Sequence, residues 1–170
     1  MALPDSAEVT VGRPLPTDGP DLWRVARDAP GLDVNSSYFY VLWCRDFAAT
    51  SAVARTADGV HGYIAGFARP EAPDTLFLWQ TAVDAAFQGQ GLARRMLGLL
   101  ADDRFRYVEA TVAPDNHASE RWLSAFARDR HTDLVRGALW GPEDFPGTDH
   151  EPEVLFRIGP LTPAGGAGGP

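Results

Sequence analysis

Two adjoining stretches decide the fold: Thr75-Leu76-Phe77-Leu78-Trp79-Gln80-Thr81-Ala82-Val83 and, a few residues on, Gln88-Gly89-Gln90-Gly91-Leu92-Ala93. The first is a nearly unbroken apolar run, which reads as a central strand covered on both faces. After the glycines, Leu92, Met96, Leu97 and Leu100 recur at helical spacing, so a helix is expected from about Gly91 to Asp102. A strand that turns through glycines into a helix has an electrostatic consequence. The helix N-terminus presents backbone N–H groups without partners and a partial positive charge. Glycines let an anion reach those amides with no Cβ in the way. The turn is therefore an anion cradle built from main chain. It is neither a P-loop, since no Gly-Lys-Ser/Thr follows, nor the Gly-x-Gly-x-x-Gly dinucleotide fingerprint.

Outward from this centre the pattern alternates. Toward the N-terminus, Asp58-Gly59 is a hairpin turn between strands Ser51–Thr56 and Val60–Arg69. A helix is expected from Ser36 to about Phe47, with Tyr38, Val41, Leu42 and Arg45 on adjacent turns and Ser36 or Asn35 as cap. Pro30-Gly31 ends an earlier helix that carries Leu22, Val25 and Ala26 and starts at Thr17-Asp18-Gly19-Pro20, with Thr17 or Asp18 as N-cap. Glu8–Arg13 alternates weakly as a strand. Toward the C-terminus come a strand at Tyr107–Val112, a helix at Ala118–Arg130 with Trp122, Leu123, Phe126 and Ala127, and a strand at Val154–Ile158. This order predicts an α/β fold, a sheet covered by helices.

The whole chain sets bounds on function. Its 170 residues suit one domain, expected over 8–161, between a flexible N-terminus over 1–7 and a disordered Gly/Pro/Ala tail over 162–170. Apolar residues make up 45%, enough for a packed core. The 15 basic residues are all Arg and face 23 acidic ones, giving a net charge of −8. That balance argues against nucleic acid and against a polybasic membrane contact. No apolar run approaches the roughly 20 residues of a membrane span, and no secretory signal is visible, so a cytoplasmic location is expected. A single Cys, Cys44, excludes an internal disulfide and reads as a buried thiol. With only four scattered His, no metal site is expected.

Gln88, Gly91 and Ala93 match Q/R-x-x-G-x-G/A, and the segment resembles the pyrophosphate-binding turn of the GNAT N-acetyltransferases. The resemblance implies the GNAT fold, a mixed, mostly antiparallel sheet flanked by helices, and acetyl-CoA as co-substrate. It places the cofactor on Thr81, Ala82, Val83, Gln88, Gly89, Gln90, Gly91, Leu92, Ala93, Arg94, Asn116 and Ser119. Arg95 is a further phosphate candidate or a solvated helix face. Asn116 is also a natural N-cap. In that fold the strand after the cradle helix splays from the central strand, and the pantetheine arm enters there.

Three longer stretches resemble one GNAT family, the L-2,4-diaminobutyrate acetyltransferases of ectoine biosynthesis: Leu32-Asp33-Val34-Asn35-Ser36-Ser37-Tyr38-Phe39-Tyr40, Thr75–Asp84, and His150-Glu151-Pro152-Glu153-Val154-Leu155-Phe156-Arg157-Ile158-Gly159-Pro160. The resemblance implies transfer of acetyl from acetyl-CoA to the 4-amino group of diaminobutyrate, a homodimer with Trp140 or Phe145 at its interface, and a role in osmotic stress. Such a substrate carries two ammonium groups and one carboxylate. Carboxylates and aromatic faces suit the cations, and polar donors suit the carboxylate.

Substrate-binding candidates are Asp33, Asn35, Ser36, Tyr38, Trp79 and Glu153. Catalytic candidates are Glu153, Asp33 and His150 as base and Tyr38 as acid, because the segment after Asn116 lacks the Tyr that commonly protonates the leaving thiolate. Each has a plain alternative: Asp33 as a helix-initiating turn residue, Trp79 as core, His150 and Glu153 as surface polarity. Two other functions stay open, acetylation of another small amine and a catalytically silent acetyl-CoA-binding module.

Overall fold

A computed structural model describes residues 8–147 and 149–163. The expected flexible start over 1–7 and the tail from 164 onward lie outside the described residues; Thr162 and Pro163 form neither helix nor strand. The strands are β1 (Thr10–Gly12), β2 (Ala52–Thr56), β3 (Gly59–Arg69), β4 (Ala72–Val83), β5 (Tyr107–Val112), β6 (Leu134–Trp140) and β7 (Glu153–Ile158). The helices are α1 (Gly19–Asp28), α2 (Ser37–Asp46), α3 (Leu92–Leu100) and α4 (His117–Asp129). Neighbouring strands are hydrogen-bonded in the order β1-β2-β3-β4-β5-β7-β6, which puts β4 in the middle. β4 and β5 pair parallel, while β1–β2, β2–β3, β5–β7 and β6–β7 are antiparallel. This is the mixed, mostly antiparallel α/β architecture expected. Among the described residues, no helix is long and apolar enough to cross a membrane.

The chain divides into two compact units. The first takes the described part of Met1–Phe67 together with Gln80–Leu100. Its core joins Leu22, Val25 and Ala26 of α1 to Tyr40 and Cys44 of α2 and to Val53, Val60, Tyr63, Ala65 and Ala82 of the strands. The inward face of α2 is therefore Tyr40 and Cys44, one turn apart; Tyr38 and Val41, which the spacing grouped with Leu42 and Arg45, are exposed. A Tyr can lie wholly inside only if its hydroxyl finds a partner, and the partner of Tyr40 is far away in sequence. Asp18 stands at the N-cap of α1, but its carboxylate accepts from Leu15 N at 2.7 Å and from Arg55 at 2.7 Å instead of capping. Ser36 also makes no side-chain cap bond. The β2–β3 hairpin closes with Thr56 opposite Gly59, whose φ of +133° suits glycine.

The second unit takes Ala68–Trp79 and the described part of Ala101–Pro170. Its strand β6 carries no expectation from the sequence. Only its first residue is even half-buried, Gly137 interrupts it, and no alternation marks it. β7 lies between β5 and β6, so the last strand in sequence is not the last in space. Glu109, 3% exposed in β5, is neutralised by Arg69 at 3.1 Å and by Arg157.

β4 runs through both units with two burial patterns. Thr75, Leu76, Phe77 and Leu78 are buried in succession; then Trp79 is exposed, Gln80 buried, Thr81 half-buried and Ala82 buried. Full coverage thus applies to the first half only. The parallel register with β5 ends at Leu78 opposite Ala110, although β4 continues to Val83.

Candidate functional site

In the first unit, β4 ends at Val83, a short 3-10 turn spans Ala85–Phe87, and α3 begins at Leu92. Gly89 and Gly91 have φ of +77° and +69°, values that favour glycine. A Cβ built on either would meet nothing within 4 Å, so the space in front of the cradle is open. Gln88 and Gln90 are exposed, and the Gln88 amide folds back to donate to Val83 O at 3.1 Å. Leu92, Met96, Leu97 and Leu100 anchor the opposite face of α3 in the core. Ala93 is half-buried and Arg94 exposed. The Arg95 side chain donates to Val9 O at 2.8 Å, tying α3 to the chain before β1.

The start of the cradle is held by a polar strut. Asp84 accepts from Arg24 through both carboxylate oxygens, at 3.1 and 3.0 Å, and lies 3.1 Å from His61 Nδ1. Arg24 also donates to Val60 O at 2.7 Å. The His61 ring stacks on Phe87, with centroids 4.1 Å apart, and its Nε2 lies 2.9 Å from Thr56 Oγ1. Close packing beneath completes the support: a Cβ on Gly62 would lie 3.2 Å from Val83 Cγ2 and 3.3 Å from Ala82 O.

The same unit carries the expected amine-binding segment. Asp33, Ser36 and Tyr38 are exposed and Asn35 is half-buried. The backbone of this segment is fixed by two residues outside the expected site set: Gln80 Nε2 donates to Asp33 O at 2.8 Å, and Asn35 N donates to Tyr40 OH at 3.2 Å. Two signs pointed to Gln80, a lone amide inside a mostly apolar run and its place in the Thr75–Asp84 stretch.

In the second unit, Asn116 caps α4, its Oδ1 accepting from Ser119 N at 3.1 Å. The capping reading of Asn116 is therefore realised, and Ser119 is its partner. Trp79 is 51% exposed, which removes the core reading. Glu153 opens β7, half-buried, opposite Trp140 of β6. The ring of His150 stacks on Phe145, with centroids 3.6 Å apart. Cys44 is buried, and loss of hydration pushes its thiol up to about 12, which removes it as a nucleophile. A cleft of about 520 Å³ in the second unit, lined by Asp74, Asp102, Arg104, Arg106 and Leu161 among others, contains none of the expected site residues.

An open main-chain cradle of positive-φ glycines at a helix N-terminus fits a pyrophosphate. With this strand order it defines an acyl-CoA-dependent N-acyltransferase. The chain matches the acetyltransferase (GNAT) family over residues 20–126. It is 50% identical over 165 residues to the L-2,4-diaminobutyric acid acetyltransferase of Streptomyces coelicolor, covering 94% of this chain and 97% of that protein. Identity to the enzyme of the same name from Virgibacillus pantothenticus is 42% over 152 residues, 87% and 96% of the two chains. The solved structure of diaminobutyrate acetyltransferase EctA from Paenibacillus lautus, in complex with its substrate L-2,4-diaminobutyric acid and coenzyme A, superposes with a TM-score of 0.86 at 38% identity, covering 92% of this chain and 98% of that one. The chain therefore belongs to the GNAT family and, within it, to the L-2,4-diaminobutyric acid acetyltransferases.

Proposed function

We propose that this chain transfers the acetyl group of acetyl-CoA to the 4-amino group of L-2,4-diaminobutyrate in ectoine biosynthesis, directly and without an acyl-enzyme. The observation that carries the reading is the open Gly89–Gly91 cradle in a chain that aligns with diaminobutyrate acetyltransferases along nearly its whole length. The cradle and α3 hold the pyrophosphate, assisted by Arg94; Thr81–Val83 and the Asn116–Ser119 segment hold the remaining cofactor. Asp33, Asn35, Ser36, Tyr38, Trp79 and Glu153 hold the diamine, Trp79 through its ring face.

A primary ammonium with a pKa near ~10 must lose a proton before it attacks. Glu153 takes that proton, with Asp33 and His150 as the other candidate bases. The nitrogen–carbonyl bond forms as the carbon–sulfur bond breaks. Backbone N–H groups of Ala82 or Val83 stabilise the charge that grows on the carbonyl oxygen. The thiolate leaves with a proton from Tyr38 or water; with a pKa near ~8.5, by analogy with Cys, it needs little assistance.

We further propose that residues 8–161 act as one catalytic domain, in the cytoplasm, under osmotic stress, and as a homodimer. Exposed Val135, Leu139 and Trp140 on β6 support a self-associating face. Incubating protein, acetyl-CoA and a panel of amines while following free thiol tests the activity. Release specific to diaminobutyrate supports it; release with another amine, or coenzyme A binding without release, supports the alternatives.

A further inference from the structure

Gln80 is a buried amide, 8% exposed, in the central strand β4. Its Oε1 accepts from Tyr40 OH at 3.0 Å and from Tyr63 OH at 2.5 Å; its Nε2 donates to Asp33 O at 2.8 Å. Tyr40 and Tyr63 are both 0% exposed. The Asp33 carbonyl, which can only accept, fixes which way the amide faces, because a flipped amide would set Oε1 against it and leave the two phenols no shared acceptor. The Tyr40 hydroxyl also accepts from Asn35 N at 3.2 Å, so its own proton is committed to Gln80. Burial pushes the Tyr63 phenol up, which keeps it a donor throughout the neutral and moderately alkaline range.

The segment carrying Asp33 is thus held at two main-chain atoms, Asp33 O by Gln80 of β4 and Asn35 N by Tyr40 of α2, while Asp33 itself stays exposed. An apolar residue of similar size would fill the position of Gln80 but take away the partner of two buried phenols and of Asp33 O. The network does something packing alone does not: it sets the backbone from which Asp33 projects.

We propose that Gln80, oriented by Tyr40 and Tyr63, is a positioning residue for the cationic amine substrate, acting through the main chain of Asp33. The inference rests on the reading of Asp33 as an amine-binding residue. Gln80→Glu keeps the shape and removes the donor to Asp33 O. It is expected to raise KM for diaminobutyrate about tenfold while KM for acetyl-CoA stays within about twofold. Tyr40→Phe deletes a single hydroxyl and carries the test if the Glu variant does not fold; a rise of about threefold or more in the same KM is expected. Val25→Ala, a truncation in the same core, controls for stability and should lower Tm with both KM values little changed.

Folded Gln80→Glu or Tyr40→Phe protein with unchanged KM for diaminobutyrate, or with both KM values rising together, overturns the inference. Asp33→Ala separates the two readings. If it leaves KM for diaminobutyrate unchanged, the role of Asp33 fails. If it raises KM and the network variants do not, the positioning role of Gln80 fails.

Discussion

Arg24 and Asp84 form a two-pronged pair, with Nη1–Oδ1 at 3.1 Å and Nη2–Oδ2 at 3.0 Å. It joins the first helix to the residue that follows β4, where the cradle loop begins. A planar guanidinium on a carboxylate fixes orientation as well as distance. Asp84→Asn keeps the shape but removes the charge and one acceptor. With Arg24 about one-third exposed, the loss should sit near the lower end of about 1.5–3 kcal/mol for a charged hydrogen bond. The expected result is a several-fold weaker affinity for coenzyme A by calorimetry, with KM for diaminobutyrate unchanged.

The glycines of the cradle make a sharper prediction. Gly89→Ala and Gly91→Ala each place a Cβ at positive φ, costing about 1 kcal/mol or more in stability. Each Cβ enters space that is open in the protein, so crowding falls on the ligand rather than on the fold. Coenzyme A affinity should drop about tenfold or more while circular dichroism stays that of the parent. Unchanged affinity would separate these glycines from the phosphate role.

Legibility in the sequence followed physical contrast. β4, the glycine turn, α3 and β5 stand out because continuous burial, paired glycines and a one-sided apolar stripe each leave a local signature. β6 left none, because an exposed edge strand with Gly137 at its centre owes its place to pairing with β7, a long-range event. The inward face of α2 is hidden from local spacing for a related reason. Tyr40 is buried because Gln80 waits for its hydroxyl forty residues on, and no local spacing records that. The cofactor turn was visible as a motif; the Arg24, His61 and Gln80 contacts that brace the site were not, since each depends on tertiary proximity.

Cys44 gives a prediction in pH. Burial raises its folded thiol to about 12, whereas an unfolded thiol ionises near ~8.5. The folded state keeps a proton that the unfolded state loses. This contribution is therefore complete below about pH 8.5 and is lost as pH rises from there toward 12, by at most about 1.4 kcal/mol per pH unit. Thermal melts from pH 8 to 10 should show the parent losing Tm faster than Cys44→Ala. At pH 8 a thiol reagent should label the native protein only after denaturant is added.

Glu153 and Asp33 have separable roles. Glu153→Gln should cut kcat/KM by about 100-fold or more, the scale of a lost general base. Asp33→Ala should raise KM for diaminobutyrate and leave acetyl-CoA binding intact. Steady-state kinetics with each substrate varied in turn distinguishes the two, and a near-normal rate in the Glu153 variant would move the base to His150 or Asp33.

The central claim is the identity of the acceptor amine, and thiol release during turnover tests it most directly. With acetyl-CoA present, the account predicts rapid release with L-2,4-diaminobutyrate, little with other diamines, polyamines or peptide N-termini, and a product whose NMR spectrum places the acetyl group on N4. Release that is fastest with a different amine, acetylation at the 2-amino group, or coenzyme A binding with no release for any amine would contradict it.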